Sequence, residues 1–167
     1  MRKGEQHQQR MAELHHREAL ETFRTLVNLE RQAWSVFAAT DVLLVAYGLY
    51  IKLAGPVAFG ILVLVALLIS SVSVHRHLVP VGYVIFANEK ILAGGTPLGI
   101  TYAASRTPGL LEAYERISQS EVSARPDMLK SVGSGAIGSR SVVTITILIA
   151  AQVALVTLTV VSGYKFF

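Results

Sequence analysis

The sequence contains no cysteine, which excludes disulfides, thiol chemistry and cysteine-based metal sites. Charge is also scarce: 16% of the 167 residues are charged, against about 25% in a typical soluble domain. Hydrophobic residues make up 52%, and most of them fall in three long runs separated by polar blocks. This pattern predicts an all-α integral membrane protein with three transmembrane helices.

Signals of secretion and of catalysis are missing as well. The first 33 residues have no apolar core and no small-residue cleavage site, so they are not a secretory signal. No phosphate-binding loop, nucleophile elbow or Ser-His-Asp grouping occurs, and the five histidines lack the spacing of paired metal ligands. We therefore predict a protein that is not an enzyme and that holds no metal or cofactor.

Three spans are predicted, over residues 34–53, 56–74 and 141–163. Each has about 20 residues, enough to cross about 30 Å of hydrocarbon. The first two are joined by a turn so short that residues 34–75 must form an antiparallel hairpin. Gly55 is expected to end the first helix, and Pro56 is expected to begin the second.

The distribution of lysine and arginine predicts the orientation. Thirteen of these residues lie in the N-terminal block and the middle segment, whereas Lys52 and Lys165 lie on the other side. By the positive-inside rule, the N-terminus and residues 76–140 are cytoplasmic, and the tail at 164–167 is external. A multi-pass protein of the bacterial inner membrane is expected. Its basic residues are expected to face the anionic lipids of the bilayer rather than nucleic acid. The expected interfacial anchors are Trp34, Tyr47, Tyr50, Lys52 and Arg76.

Both polar blocks are predicted to be helical. Residues 1–33 carry a helical apolar stripe and are expected to continue into the first span without a break, as a stalk. That stripe needs a partner, either the middle segment or another copy of the chain. Within residues 76–140, Pro80 is expected to begin one helix, Thr96-Pro97 and Thr107-Pro108 two more, and residues 125–132 a further short one. This segment packs under the membrane or lies along it.

Asp41 is the sharpest feature of the spans, because a charge in the bilayer is costly and normally faces a bundle interior or water. Gly48 lies on the same helical face, where small residues permit close helix approach. One interpretation is a pore-lining or proton-linked carboxylate in an oligomer. The other places Asp41 in the cytoplasmic headgroup zone, hydrogen-bonded to a Thr, Ser or Arg.

The third span carries a mixed polar face. Its pattern indicates either a partly polar lining of a water path or a hydrogen-bonded contact between helices, with Gln152 as the bonding residue. In a ring of copies, both interpretations hold at once. The residues of this face are Ser141, Thr144, Leu148, Gln152, Leu155, Thr159 and Gly163.

In its layout, the chain resembles the SLATT-like small membrane effectors of bacterial conflict systems. The similarity covers about residues 1–130, chiefly "LVNLERQAWSVFAATDVLLVAYG" and the hairpin turn, and the third span is an addition to that layout. The resemblance implies an oligomeric, membrane-perturbing effector that a sensor partner switches on during infection. No site residue is carried over from the family.

Two functions remain open at this point. The first is an oligomeric membrane channel or pore, because three spans enclose little water alone and a ring would repeat Asp41 or Gln152 around an axis. The second is a non-catalytic accessory or assembly subunit of a larger membrane complex of transporter or respiratory type. The expected partners are the lipid bilayer, further copies of the chain, and a cytoplasmic sensor or other membrane subunits.

Overall fold

The computed structural model describes residues 3–92, 109–134 and 140–166. Of these residues 91% are helical, and none lies in a strand. The helices are α1 (Lys3–Ile51), α2 (Ala54–Leu92), α3 (Leu110–Gln119), α4 (Arg125–Ser134) and α5 (Arg140–Val161).

The three predicted apolar helices are confirmed. Three helices are long and apolar enough to cross a membrane, within Gln9–Ile51, Ala54–Leu92 and Ser141–Val161. The N-terminal stretch also continues into the first span without a break, since α1 is one helix of 49 residues. No proline or glycine interrupts it between Gly4 and Gly48, so nothing in the sequence opposes the helical backbone there.

Two predicted helix boundaries are wrong. Pro80 does not begin a helix but lies inside α2, where the packing of the flanking turns tolerates one missing backbone hydrogen bond. Gly55 does not end α1, because Lys52 takes the left-handed conformation (φ 57°) and α2 already begins at Ala54. α3 begins after Gly109, whereas Thr96-Pro97 and Thr107-Pro108 lie outside the described residues. The predicted short helix at 125–132 is confirmed as α4.

The chain divides into two compact units. Unit 1 comprises Met1–Asn28 and Val74–Arg140, and unit 2 comprises Leu29–Ser73 and Ser141–Phe167. Unit 1 therefore holds the polar ends of α1 and α2 with α3 and α4, and unit 2 holds the apolar lengths of α1, α2 and α5.

Unit 1 has an aromatic core built on the amphipathic helix α3. Leu110, Tyr114 and Ile117 recur at helical spacing and are buried against Val79 and Phe86 of α2. The rings of Phe86 and Tyr114 lie 5.8 Å apart, in a tilted arrangement that favours aromatic attraction. Burial of this apolar stripe supplies the stability that α3, with only 10 residues, would lack alone.

Tyr114 joins α3 to α2 through a polar contact inside this core. Its hydroxyl donates to the carbonyl oxygen of Val79 at 2.7 Å, and burial raises the pKa of the Tyr114 phenol above its usual range. Tyr114→Phe is expected to lower the free energy of unfolding by about 1 kcal/mol, the usual net value of one buried hydrogen bond. Thermal unfolding of the purified protein checks this, and no measurable change would contradict it.

The same phenol gives a pH dependence. An exposed tyrosine in the unfolded chain loses its proton at about pH 10, whereas the buried Tyr114 keeps it to higher pH. The free energy of unfolding should therefore fall as pH rises above about 10, and this part of the fall should be absent from Tyr114→Phe. Equal pH profiles for the two proteins would contradict the assignment.

Unit 2 has its own apolar core, in which Leu64, Leu67 and Ile145 are fully buried. The inward positions of α5 follow each other by three or four residues, which is the spacing of nearly parallel packed helices. They are Val142, Ile145, Ile149, Gln152, Val156 and Thr159. Thr144 and Leu148 of the predicted mixed face are exposed in the protomer and take no part in this core.

The turn between α1 and α2 is closed by backbone hydrogen bonds. The amide of Leu53 donates to the carbonyl of Gly48 at 2.9 Å, which caps the end of α1. The start of α2 is capped from the other end of the sequence: Ala54 and Gly55 donate to the carbonyls of Lys165 and Phe166 at 2.8 and 3.0 Å. α5 ends at Val161, and Gly163, two residues later, takes a left-handed conformation (φ 81°), which turns the tail toward these amides.

Candidate functional site: a polar cluster between three helices

Asp41, Gln152 and a backbone carbonyl of α2 form a polar cluster inside unit 2. The side-chain amide nitrogen of Gln152 donates to Oδ1 of Asp41 at 2.8 Å and to the carbonyl oxygen of Val57 at 3.0 Å. An amide nitrogen carries two hydrogens, so both are used. One side chain of α5 therefore bonds to α1 and α2 together, and we call these groups the Asp41–Gln152 cluster.

Gly60 provides the space that the cluster occupies. Gly60 is buried on α2, and a Cβ atom built on it would overlap the amide nitrogen of Gln152 and Oδ1 of Asp41. A residue larger than glycine would therefore meet both members of the hydrogen bond. Small residues at such positions let polar side chains of neighbouring helices reach each other.

The cluster lies well inside α1 and α5 but in the first turn of α2. Asp41 precedes Ile51, the last residue of α1, by ten residues, and Gln152 precedes Val161, the last of α5, by nine. Val57, in contrast, is the fourth residue of α2. Both interpretations of Asp41, a pore-lining position and the headgroup zone, stay predictions.

The electrostatics of the cluster are those of a carboxylate with a neutral partner. Asp41 is the only acidic residue in the three predicted spans. Among the described residues, the amide of Gln152 is its hydrogen-bond donor, and no lysine, arginine or histidine pairs with it. Its side chain is neither fully buried nor fully exposed. Such a group can attract a cation, because its charge is not neutralised by the protein.

The other predicted pore-lining residues do not join the cluster. Gly48 is buried at the hairpin, where an added Cβ would lie 2.7 Å from Cγ2 of Val57, so it permits close packing of α1 and α2. Thr159 is buried, and its hydroxyl donates to the carbonyl of Val156 in its own helix. Thr144 lies on the exposed side of α5. Of the five residues, only Asp41 and Gln152 are brought together.

The predicted interfacial anchors divide into two groups. Tyr47, Tyr50 and Lys52 are exposed near the α1–α2 turn, and Arg76 is exposed on α2 in unit 1. Trp34 instead packs against the buried cluster of Leu64, Leu67 and Ile145. Trp34 is only partly buried there, and the role of these five residues as interfacial anchors stays a prediction.

Sequence reasoning missed Gly60 and the burial of three polar residues, Glu30, Ser71 and His75. Glu30 of α1 and Ser71 of α2 are 4% and 3% exposed, and the Ser71 hydroxyl has no partner among the described residues. A usable signal was present for α1, because Glu30, Phe37, Asp41 and Gly48 recur at helical spacing along its inward side. For Gly60 the signal was a single glycine within a run of large apolar residues.

Within the described residues, no three His, Asp or Glu side chains converge as metal ligands would. Comparison of the chain with protein-family models, curated proteins and solved structures finds no match. The Asp41–Gln152 cluster is therefore the observation from which function has to be argued.

Proposed function

We propose that the protein is an oligomeric membrane channel or pore-forming protein of the bacterial inner membrane. The observation that carries this proposal is the Asp41 carboxylate, held between three apolar helices by a neutral amide. An acidic group at the centre of a membrane span costs several kcal/mol, with estimates that range from about 2.5 to above 10, so an acid within a span is usually kept for a function. The negative charge of Asp41 is best suited to attract a cation.

One protomer is too small to enclose a water path. Its three apolar helix segments pack closely around the Asp41–Gln152 cluster, and the outward positions of α1, α2 and α5 are apolar, as at Leu43, Leu62 and Leu158. A channel would therefore require several copies around an axis, with the cluster opened or turned toward that axis. The arrangement described above is, in this proposal, the closed protomer.

Asp41→Asn separates the charge from the hydrogen bond. An asparagine keeps an oxygen that accepts from Gln152, so the fold should remain, but it removes the charge. In liposomes that contain the pure oligomer, the variant should lose cation selectivity by about fivefold or more, which corresponds to about 1 kcal/mol. A cation- and anion-flux assay with fluorescent dyes measures this.

The matched control is Thr40→Val, next to Asp41 on α1. Thr40 is exposed and its hydroxyl donates only to its own helix, at the carbonyl of Val36, so its removal should leave flux and selectivity unchanged. The absence of flux from the pure wild-type oligomer would contradict the channel proposal. So would unchanged selectivity in a well-folded Asp41→Asn protein.

A second candidate function is a non-catalytic accessory or assembly subunit of a larger membrane complex. It is favoured by the inward orientation of the polar groups, since Gln152 and Thr159 are buried and bonded within one protomer. Outer faces that are apolar suit contact with lipid or with other subunits equally. Co-purification with unrelated proteins at fixed stoichiometry would support this function, and a stable pure homo-oligomer would count against it.

The proposed role in bacterial defence, with a sensor partner as trigger, comes from the layout of the chain rather than from the cluster. An effector that perturbs the membrane should depolarise cells once it is active. Expression of the full chain with and without infecting phage, followed with a potential-sensitive dye, tests this role. Depolarisation only in infected cells is expected, and unchanged potential in both would contradict it.

A further inference from the structure

A basic cleft of about 270 Å³ opens on unit 1 between α2 and α4. Arg76 and Lys130 are exposed at it and supply two positive charges. The remaining lining is apolar or small and consists of Pro80, Leu129 and Gly133. A cleft with a charged rim and an apolar wall fits a ligand that has an anionic group joined to an apolar part.

The helices α2 and α4 approach each other closely at the cleft. Pro80 has no amide hydrogen to donate to the carbonyl of Arg76, which lies one helical turn earlier. Gly133 of α4 lies beside this carbonyl, and an added Cβ would be 3.7 Å from its oxygen, at van der Waals distance. The missing side chain of Gly133 therefore permits this close approach, which brings Arg76 and Lys130 to one cleft.

The two charges are available for a ligand. The side chain of Arg76 makes no hydrogen bond or ion pair with the described residues, whereas that of Arg125 is bonded to the carbonyls of Ser118 and Ser120. Lys130 lies 3.6 Å from Asp127, but both side chains are more than 80% exposed. Water screens such a surface pair, so Asp127 holds Lys130 only weakly.

The position of Arg76 along α2 matches the headgroup layer of a membrane. Arg76 follows Ala54, the first residue of α2, by 22 residues of continuous helix. At about 1.5 Å per residue this is about 33 Å, just beyond a hydrocarbon core of about 30 Å. Basic side chains at that level attract anionic lipids.

We propose that this cleft binds the headgroup of an anionic phospholipid. Arg76 and Lys130 hold the phosphate, and Pro80 and Leu129 contact the apolar part of the lipid. Free phosphate would satisfy the two charges but would make no use of the apolar wall. The proposal needs only a membrane location, and it holds for a channel and for an accessory subunit alike.

The test uses full-length protein, stripped of lipid in mild detergent and titrated with phosphatidylglycerol or phosphatidylcholine under native mass spectrometry. We expect phosphatidylglycerol to bind more tightly than phosphatidylcholine, and the Arg76→Gln/Lys130→Gln variant to bind phosphatidylglycerol about 25-fold more weakly. Each basic residue near an anionic surface contributes about fivefold. If the double variant unfolds at a lower temperature, Lys130→Gln alone, at a fully exposed side chain, should still weaken binding about fivefold.

The matched control is Arg116→Gln, which removes an exposed charge of α3 that does not line the cleft. It should leave phosphatidylglycerol binding unchanged. Equal binding of the two lipids by the wild type, or full binding by the double variant, would overturn the proposal. Complete displacement of the lipid by an equal concentration of inorganic phosphate would also overturn it, because the ligand would then be a soluble phosphate.

Discussion

Gly60→Ala is expected to destabilise unit 2 by about 1–3 kcal/mol, the usual cost of overpacking a buried site. The new methyl group would overlap both Asp41 and Gln152, so these side chains could stay only by separating from each other. The gain in helix propensity, about 1 kcal/mol for alanine over glycine, acts in the opposite direction and is outweighed. Thermal unfolding in detergent measures the difference.

Gly133→Ala is the matched control for this substitution. Gly133 is also a buried helical glycine, but an added Cβ there meets no atom closer than 3.7 Å. It should be neutral or slightly stabilising, because only the helix propensity changes. If the two variants unfold at the same temperature, the space at Gly60 does not determine the stability of the cluster.

Gln152→Leu is expected to cost about 2 kcal/mol, because it leaves the Asp41 carboxylate without a donor among the described residues. Hydrogen bonds between membrane helices alone contribute about 0.6 kcal/mol on average, so most of the loss comes from the unpaired acid. The Asp41→Leu/Gln152→Leu protein should therefore be more stable than Gln152→Leu. Its free energy of unfolding should lie within about 1 kcal/mol of the wild-type value. The coupling energy follows from a double-mutant cycle of unfolding free energies.

Thr157→Leu serves as the control on the same helix. Thr157 is exposed, and its hydroxyl donates to the carbonyl of Val153 within α5, so its loss breaks no contact between helices. Little or no destabilisation is expected. Additive effects of the two leucine substitutions at Asp41 and Gln152 would show that these residues are not energetically coupled.

The existence of the helices could be predicted from the sequence, because it depends on local properties. Apolar runs of sufficient length gave the three long apolar helices, and the lack of proline and glycine before Gly48 gave the continuous α1. The helix boundaries were harder to predict, because tertiary contacts determine where each helix begins and ends. Lys52 is held in a left-handed conformation by the hairpin, and Pro80 is tolerated inside α2.

The partner of Asp41 could not be predicted, because it depends on which faces of three helices meet. The sequence pattern of the third span placed Thr144 and Leu148 on one face with Gln152. In the structure, the inward side of α5 lies next to Thr144 and Leu148 and is mostly apolar. Val142 and Ile145 are buried on the inward side, and Gln152 and Thr159 are the positions shared by both patterns. The role of Gly60 could not be predicted either, because a glycine in an apolar helix does not indicate which side chains of the neighbouring helices lie against it.

Native mass spectrometry of the pure full-length protein in mild detergent tests the central claim most directly. The channel proposal requires a closed homo-oligomer, because one protomer with its polar groups turned inward encloses no water path. We predict one defined copy number above two, retained on dilution. A monomer, or a complex of fixed stoichiometry with unrelated membrane proteins, would contradict the claim.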